Sequence, residues 1–589
     1  MRNQTKISFV LLAAVLVFRV NGWAQPASAV TKAAGTESAR PAGAITGRVI
    51  NSAGEPLFGA SVSAVPLNGA RSQAAYVNSK GEFKIDGLEP GLYRLLPSMA
   101  GYVPLTPSPV PTEPVYYRLG DSVTLTMIKG AVITGTVTGP NGPLVGVGVF
   151  VTRVQDEEGK KLTPPITLRD RSTDDRGMFR FYGLPPGAYI VGAARPRVGV
   201  IVPSAYDNDT PTYFPSATRD TATEITVRDG DEVTTDIQYR AEPGHAVSGK
   251  VVGVFESTVR FTPGASVSLV DLQSRTPLTG TSTTAIDNHS FAIYGLPAGE
   301  YEIYALQYPP SGEALRSAPQ RISVRDSDVA GLSLTLAPLA SIEGRLVFEN
   351  DPKAACAQRK ETAAPETIVK AWRATPEKTD ANNKTESLTA SLSFANNQTV
   401  SAGDIKGSFT LKNLQPGNYR IDSQPPASGW YLKSVAIGTR TGAVRTAGPN
   451  VVRDGISVKN GEHVTGLTVT ITEGASRLSG RISAVEGQNL PPRMMVYLVP
   501  GEREAVDNVF RFYEARTGAD QTFTIDHINP GRYFIVAHSP ADKDNDPGKS
   551  IRRDSSFRAA VSQRAAAAKK EISFKPCERI ADYQLPYSP

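Results

Sequence analysis

Residues 83–93 read Phe83-Lys84-Ile85-Asp86-Gly87-Leu88-Glu89-Pro90-Gly91-Leu92-Tyr93, and this pattern returns four more times along the chain. The prediction of the fold begins from this repeat. Every copy begins with Phe and ends with Tyr ten residues later, and a turn resembling Gly-Leu-x-Pro-Gly lies between them. The other copies occupy residues 179–189, 291–301, 409–419 and 523–533. A repeat with constant internal spacing indicates a tandem array of one small folding unit.

The residues of the repeat predict two strands joined by a tight turn. Phe83 and Ile85 alternate with polar residues, so both side chains face a core. Pro90 fixes φ, and we expect Gly91 to supply the positive φ of the turn. Tyr93 then begins the next strand with its ring inward and its hydroxyl within reach of a turn carbonyl, as a buried Tyr requires.

Further strands flank each copy. Before it lies a run such as Ile45-Thr46-Gly47-Arg48-Val49, and after it come alternating runs such as Ile225-Thr226-Val227 and Ile237-Gln238-Tyr239. Strands with one apolar face need a second sheet to cover that face. The sequence therefore predicts an all-β protein of about five immunoglobulin-like antiparallel β-sandwich modules, at residues 43–130, 131–243, 244–339, 340–474 and 475–589.

Several segments depart from this pattern. Residues 351–397 are polar and weakly patterned, and they predict a long loop or a partly disordered excursion inserted in the fourth module. Prolines between 104 and 114 predict an extended loop. The Ala-rich residues 557–570 predict a helix near the chain end, followed by strands at Ile572-Ser573-Phe574 and over 581–585 that close the fifth module.

The N-terminus predicts export. Arg2 and Lys6 precede an apolar run over residues 7–18, and Gly22-Trp23-Ala24 offers small residues at a cleavage site. We therefore interpret residues 1–24 as a signal peptide and 25–42 as a flexible leader. No later segment is apolar enough to span a membrane, so we expect a secreted, periplasmic or cell-surface protein. The two cysteines, Cys356 and Cys577, leave open whether they pair, because their spacing does not indicate proximity.

Charge argues against nucleic acid as a partner. The 589 residues carry a formal net charge of +6, and three of those positive charges (Arg2, Lys6 and Arg19) fall in the predicted signal peptide. The remainder is small for so long a chain, and no Lys/Arg-rich run is present.

The first module resembles a known family. The run Gly54-Glu55-Pro56-Leu57-Phe58-Gly59-Ala60-Ser61-Val62, followed by the Phe-to-Tyr repeat, is similar to the carboxypeptidase regulatory-like domain. The second module repeats the element at Gly142-Pro143-Leu144-Val145-Gly146-Val147, whereas the third to fifth modules lack it. The resemblance implies a transthyretin-like, carbohydrate-binding-like sandwich of the kind found in exported bacterial proteins. It implies no peptidase activity, because domains of this family accompany separate peptidase domains or form the first domain of outer-membrane receptors.

No catalytic motif is visible. The five histidines (His245, His289, His463, His527 and His538) form no His-Glu-x-x-His pair, and no two of them stand at the i, i+4 spacing of a helix. The chain has no Gly-x-Ser-x-Gly nucleophile turn and no cysteine beside a histidine. The sequence does not exclude a catalytic pair of carboxylates, because such a pair needs only proximity in space and no fixed spacing along the chain. We predict a protein that is not an enzyme and that uses no cofactor.

Two kinds of binding residue remain as candidates. Asp542, Asp544 and Asp546 alternate as calcium ligands do, but Pro547 and Arg553 stand where an EF-hand needs Gly and Glu. A solvated loop is the alternative. The adjacent pairs Trp430-Tyr431 and Tyr213-Phe214 are candidates for stacking on sugar rings.

These observations favour an exported, non-enzymatic scaffold or adhesion protein, because loops on rigid sandwiches carry recognition. Its partner would be a protein or polysaccharide of the cell envelope. The alternatives are an array of carbohydrate-binding modules and an accessory subunit of an exported peptidase or transporter.

Overall fold

The protein is described from a computed structural model. It covers residues 43–105, 115–194, 206–255, 264–275, 277–282, 289–310, 312–350, 356, 364–374, 398–426, 429–438, 451–484, 490–491, 494–518, 520–539 and 550–587. The predicted signal peptide and leader lie outside these residues, as does the predicted proline-rich loop from residue 106 onward.

The described strands form nine sheets in five consecutive sets, which we call sandwiches 1 to 5. Each set encloses a hydrophobic cluster of its own. The all-β sandwich fold predicted from the repeat is therefore confirmed.

Sandwich 1 contains β1 (Gly43–Asn51), β2 (Ser61–Pro66), β3 (Gln73–Tyr76), β4 (Glu82–Leu88), β5 (Tyr93–Ser98), β6 (Tyr102–Pro104) and β7 (Ser122–Lys129). Sandwich 2 contains β8 (Ala131–Gly139), β9 (Gly142–Pro143), β10 (Gly148–Gln155), β11 (Lys161–Ser172), β12 (Met178–Leu184), β13 (Gly187–Ala193), β14 (Thr212–Tyr213), β15 (Ile225–Val227), β16 (Glu232–Thr234) and β17 (Ile237–Gln238). Sandwich 3 contains β18 (His245–Val252), β19 (Ser266–Asp271), β20 (Pro277–Ser282), β21 (Ser290–Leu296), β22 (Gly299–Gln307), β23 (Leu315–Ser317), β24 (Gln320–Val324) and β25 (Val329–Pro338).

Sandwich 4 contains β26 (Ala340–Glu349), β27 (Ile368–Arg373), β28 (Gln398–Ala402), β29 (Ser408–Leu414), β30 (Gly417–Gln424), β31 (Trp430–Ile437), α1 (Val451–Asp454), β32 (Ile456–Val458) and β33 (His463–Glu473). Sandwich 5 contains β34 (Ser476–Ala484), β35 (Met495–Pro500), β36 (Tyr513–Arg516), β37 (Thr522–Ile528), β38 (Gly531–His538), α2 (Ser555–Ala568), β39 (Glu571–Phe574) and β40 (Arg579–Tyr587). Single 3-10 turns lie at Arg219–Thr221, Arg503–Ala505 and Val509–Arg511.

The first strand of every sandwich lies between an antiparallel and a parallel neighbour. In sandwich 1, β1 pairs antiparallel with β4 and parallel with the last strand, β7. The strands β8, β18, β26 and β34 make the equivalent two pairings in sandwiches 2 to 5. In sandwich 3, β25 also pairs with β23, so the two layers join into one eight-stranded sheet.

This arrangement explains the glycine in the first strand of each repeat. A Cβ atom on Gly47 would lie 2.1 Å from the carbonyl oxygen of Val123 in β7 and 2.8 Å from the Phe83 ring. A Cβ on Gly249, Gly344 or Gly480 would likewise fall 2.2 to 2.6 Å from a carbonyl oxygen of the strand beside it, and a Cβ on Gly135 would fall 2.0 Å from the carbonyl oxygen of Thr235, between β16 and β17. Only glycine lets the parallel strand and the aromatic ring approach so closely.

The repeated tyrosine acts as predicted. In all five copies its hydroxyl donates a hydrogen bond to the backbone carbonyl four residues earlier, over 2.5 to 2.9 Å: Tyr93 to Glu89, Tyr189 to Pro185, Tyr301 to Pro297, Tyr419 to Gln415 and Tyr533 to Asn529. Burial raises the pKa of the Tyr419 phenol to about 12. The tyrosine therefore stays neutral and ties the turn to the following strand.

One detail of the turn differs from the prediction. In the Phe-to-Tyr turn of sandwich 1 the residue with positive φ is Gly87, at 73°, and not Gly91. The register of β4 against β1 shifts at this point, which marks a β-bulge. The bulge places the left-handed conformation at the first turn position, where the other copies have Gly183, Gly295, Asn413 and His527.

The prediction of irregular structure over 351–397 is wrong at Ile368–Arg373. These residues form β27, which pairs with β28 and β30. Four of its six residues are buried, on both faces of the strand: Ile368, Val369, Ala371 and Trp372. Burial on both faces removes the alternation by which a strand is recognised in sequence.

The predicted C-terminal helix is confirmed as α2. Asp554 caps its first turn by accepting a hydrogen bond from Phe557 N. Phe557, Val561 and Ala565 pack against the outer face of β35 and β38. Within the part of the chain that the structure describes, no helix has the length and apolar character to cross a membrane.

Candidate ligand-binding cavities at the sandwich joints

Trp430 does not form the exposed stacking surface that we expected. Its side chain is 7% exposed and lies in the core of sandwich 4, with its ring edge-on to Phe348 at 5.5 Å. Tyr431 points to the opposite side of β31, because successive residues of a strand face opposite ways. Two adjacent strand residues cannot build one coplanar platform, so the expectation at this pair is corrected.

The pair Tyr213-Phe214 divides in the same way. Phe214 packs against the core of sandwich 2. Tyr213 lies on the outer surface of that sandwich, where it meets Phe150 in an edge-to-face contact at 5.7 Å and packs near Ile190. Tyr213 lines a cavity between two sandwiches, whereas Phe214 is a core residue.

The calcium candidates Asp542, Asp544 and Asp546 fall outside the described residues. Among the residues that are described, no group of three or more His, Cys, Asp or Glu side chains is placed to hold a metal ion.

Sandwiches 2 and 3 enclose the cavity that contains Tyr213, which we call joint cavity 2–3. Its volume is about 260 Å³. One wall consists of Phe150, Thr152 and Tyr213 from the outer sheet of sandwich 2, and the facing wall includes Leu278 and Leu296 of sandwich 3. The turn over 295–298, which belongs to the repeated motif, also lines the cavity.

The polar groups of joint cavity 2–3 differ in whether the protein itself satisfies their hydrogen bonds. Thr152 and Thr167 share one hydroxyl–hydroxyl hydrogen bond of 3.1 Å. At the rim, Asp271 accepts hydrogen bonds from two backbone N–H groups of its own turn, and Glu242 pairs with Arg240. The carboxylates are therefore occupied within their own sandwich, and the threonine hydroxyls keep hydrogen-bonding capacity.

A second cavity of about 320 Å³ lies between sandwiches 4 and 5, and we call it joint cavity 4–5. Arg552, 25% exposed at its side chain, crosses it. The guanidinium donates to Phe512 O at 2.7 Å, lies 3.4 Å from the Asp422 carboxylate and stacks 5.1 Å above the Tyr513 ring. These contacts satisfy Arg552 inside the protein, so this cavity is a polar joint.

His527 fixes the same joint. Its Nδ1 lies 2.7 Å from the carbonyl oxygen of Trp430 and must donate to it. Burial lowers the pKa of the imidazole, and the nearby Arg118 and Arg552 also lower it, against the opposing effects of the Trp430 hydrogen bond and of Asp526. His527 is therefore a neutral donor that links sandwich 5 to sandwich 4.

A disulfide also connects these two sandwiches. Cys356 and Cys577 are bonded across a sequence separation of 221 residues, with their Cα atoms 5.4 Å apart. The 3-10 turn at Val509–Arg511 places Val509 and Phe510 of sandwich 5 in the hydrophobic cluster of sandwich 4. The pairing that the sequence left open is thus present, and it fixes a joint that is already packed.

The residue at the bulge position of the repeat contacts the preceding sandwich, a role that the sequence did not predict. In sandwich 3 the bulge is Gly295, where a Cβ would lie 2.6 Å from Asp209 O of sandwich 2. In sandwich 4 the bulge is Asn413, whose Oδ1 accepts a hydrogen bond of 3.0 Å from Ala314 N of sandwich 3. The only signal in the sequence was the change from Gly to Asn and His at this position.

Sandwich 1 contacts sandwich 4 through residues that are up to 307 positions apart in sequence. Arg118 donates to Pro425 O at 3.3 Å and lies 3.7 Å from the carboxylate of Glu366, which is 3% exposed. Burial lowers the pKa of the Arg118 guanidinium, while Glu366 and Asp121 oppose that effect. These contacts join sandwich 1 to sandwich 4 through a part-buried arginine.

Sequence comparison identifies the class of the first sandwich. Residues 44–126 match the family model of the carboxypeptidase regulatory-like domain, which confirms the resemblance stated from the residues of that module. A comparison with curated proteins finds no match.

Comparison with solved structures finds likenesses at low sequence identity. The Bacillus anthracis TIE protein shares 16% identity at a TM-score of 0.14, and the match covers half of each chain. GBS52, the minor pilin of Streptococcus agalactiae, shares 14% identity over 34% of this chain and 96% of its own, with a TM-score of 0.18. BcpA, the major pilin subunit of Bacillus cereus, shares 12% identity over 50% of this chain and 99% of its own, with a TM-score of 0.12. Likenesses at these values carry no argument about function.

Proposed function

We propose that this protein is an exported, non-enzymatic scaffold that binds a partner at the cell envelope or outside the cell. The observation that carries the proposal is the set of fixed joints. A disulfide, the half-buried Arg552 and inserted apolar residues hold sandwiches 4 and 5 together, and Arg118 joins sandwich 1 to sandwich 4. Such joints hold loops of different sandwiches in constant relative positions, which suits recognition of an extended partner.

The disulfide supports the export part of the proposal. Disulfides form and persist in oxidising compartments such as the periplasm and the extracellular space. The bond between Cys356 and Cys577 leaves no free cysteine. Together with the basic and apolar N-terminal residues, it favours a protein that folds after export.

The first experiment addresses export. The protein is purified from its native cells under thiol-blocking conditions and examined by intact mass. A mature chain that begins at Gln25 and carries no blocked thiol is expected. A chain that keeps residues 1–24 and has two blocked thiols would contradict export.

The second experiment addresses binding. The purified mature chain is titrated onto isolated cell envelopes, onto envelopes treated with protease, and onto a panel of polysaccharides. We expect saturable binding to envelopes. Loss of that binding after protease treatment indicates a protein partner, and persistence indicates a glycan. Failure to bind any of these surfaces, together with co-purification of a larger peptidase or transporter, would replace the scaffold proposal with that of an accessory subunit.

A further inference from the structure

We infer that joint cavity 2–3 is a binding site for one uncharged sugar ring. The inference deepens the proposed function, on which it rests for the source of the ligand.

The size of the cavity limits the ligand to a small molecule. Its 260 Å³ lies just below the roughly 300–1,000 Å³ typical of sites for drug-sized ligands. The walls are also fixed. The turn over 295–298 is held by the Tyr301 hydroxyl, which donates to Pro297 O at 2.7 Å, and the tight approach of Gly295 to Asp209 O fixes its distance from sandwich 2.

The aromatic and aliphatic wall suits the C–H face of a pyranose. Phe150 and Tyr213 stand edge-to-face at an interplanar angle of 89°, so one ring offers its face where the other offers its edge. Leu278 and Leu296 lie across the cavity. An apolar slot of this kind accommodates a ring with C–H groups on its faces and hydroxyls around its periphery.

The threonine pair supplies the polar contact. Thr152 is 1% exposed although it lies on the outer surface of its sheet. Two threonine hydroxyls carry two O–H donors between them, and their mutual hydrogen bond of 3.1 Å uses one. The second donor and the unused lone pairs remain for a ligand hydroxyl, which can both donate and accept.

The charges at the rim favour a neutral ligand. Asp271 and Glu242 are engaged by groups of their own sandwich. His245 of sandwich 3 lies 3.9 Å from Asp328. Arg219, which also lines the cavity, has an interaction within the protein, so a charged ligand would find its possible partners already engaged. A wholly apolar ligand such as a fatty acyl chain would leave the hydroxyl pair without a polar partner.

The test uses the full mature chain and a panel of neutral monosaccharides and disaccharides, with octanoate as the apolar probe, measured by calorimetry and saturation-transfer NMR. Thr152→Val removes the hydroxyl at nearly constant shape, and binding of the recognised sugar is expected to weaken about three- to tenfold. Ala298→Trp places a large ring in the cavity from an exposed turn position that lines it and is expected to abolish sugar binding.

The matched control is Thr524→Val, which alters an exposed hydroxyl pair with Ser479 in joint cavity 4–5. Sugar affinity is expected to be unchanged in this variant. The inference is overturned if no neutral sugar saturates the protein, if octanoate binds in place of sugar, or if Thr524→Val and not Thr152→Val weakens sugar binding.

Envelope binding by the same proteins separates this inference from the proposed function. A wild-type chain that binds envelopes but no sugar refutes the cavity site and leaves the scaffold function in place. A chain that binds a sugar in joint cavity 2–3 but no envelope component upholds the site and refutes the envelope scaffold.

Discussion

Replacing Gly47 by Ala tests the close packing at the centre of sandwich 1. The added Cβ would lie 2.1 Å from Val123 O, whereas real Cβ contacts essentially never fall below 3.0 Å. The parallel strands β1 and β7 must therefore separate by about 0.9 Å, the difference between these distances. The Phe83 ring, 2.8 Å from the same Cβ, must also shift.

The energetic cost follows from two opposing effects. Forcing an extra methyl group into a packed interior costs about 1–3 kcal/mol. Ala also reduces the conformational entropy of the unfolded chain, which returns about 0.4–1 kcal/mol. The expected net destabilisation of sandwich 1 is therefore about 1–2 kcal/mol, because the obstructing atom is backbone and cannot rotate away.

The assay is hydrogen exchange followed by mass spectrometry on the full mature chain, because a chain with several cores does not unfold in one step. Peptides covering β1 and β7 should lose protection by about 5- to 30-fold, the population change that corresponds to 1–2 kcal/mol. Peptides of sandwich 5 serve as an internal reference and should exchange as in the wild type.

The matched control is Gly91→Ala in the same sandwich. A Cβ at Gly91 would have no neighbour within 4 Å, and the backbone φ there is not positive. This variant should be neutral or stabilised by about 0.4–1 kcal/mol. Unchanged protection of β1 and β7 in Gly47→Ala, or equal losses in both variants, would refute the close-approach reasoning.

Three further perturbations test the turn and the joint between sandwiches 4 and 5. Tyr533→Phe removes the donor to Asn529 O and should destabilise sandwich 5 by about 1–3 kcal/mol, seen as loss of exchange protection in β37 and β38; unaltered protection would show that the hydroxyl contributes nothing. Replacing Cys356 and Cys577 together by Ser should lower stability by at most about 5 kcal/mol, the chain-entropy limit for a loop of 221 residues, and an unchanged thermal unfolding temperature would contradict a stabilising cross-link. Because burial lowers the pKa of His527 in the folded state, the unfolded chain binds the proton more readily below about pH 6.5. The joint should therefore weaken as pH falls through that value, and His527→Asn should reduce the pH dependence of exchange at the joint.

The repeat contained most of the information about the fold. Phe83 and Ile85 face the core, and Tyr93 bonds its turn carbonyl, because both features depend on residues within eleven positions of one another. Local alternation and turn chemistry are properties of the chain itself. For the same reason α2 could be predicted from residues 557–570.

The errors arose where distant parts of the chain meet. Ile368–Arg373 lacks strand alternation because sandwich 5 covers its second face, with Arg553 lying 5.0 Å above the Trp372 ring. Trp430 is buried because β31 turns it toward the core of sandwich 4. Neither outcome depends on the residues next to it in sequence.

The joints depended entirely on tertiary structure. The sequence by itself determined an all-β chain with five copies of a Phe-to-Tyr turn and a glycine at the centre of each first strand. Only the folded chain brought Cys356 to Cys577, Arg118 to Glu366, and Tyr213 to the turn of sandwich 3. The physical reason is that the repeat specifies contacts within one sandwich, whereas a joint is formed by surface residues whose partners lie about a hundred or more positions away and whose pairing leaves no periodic pattern.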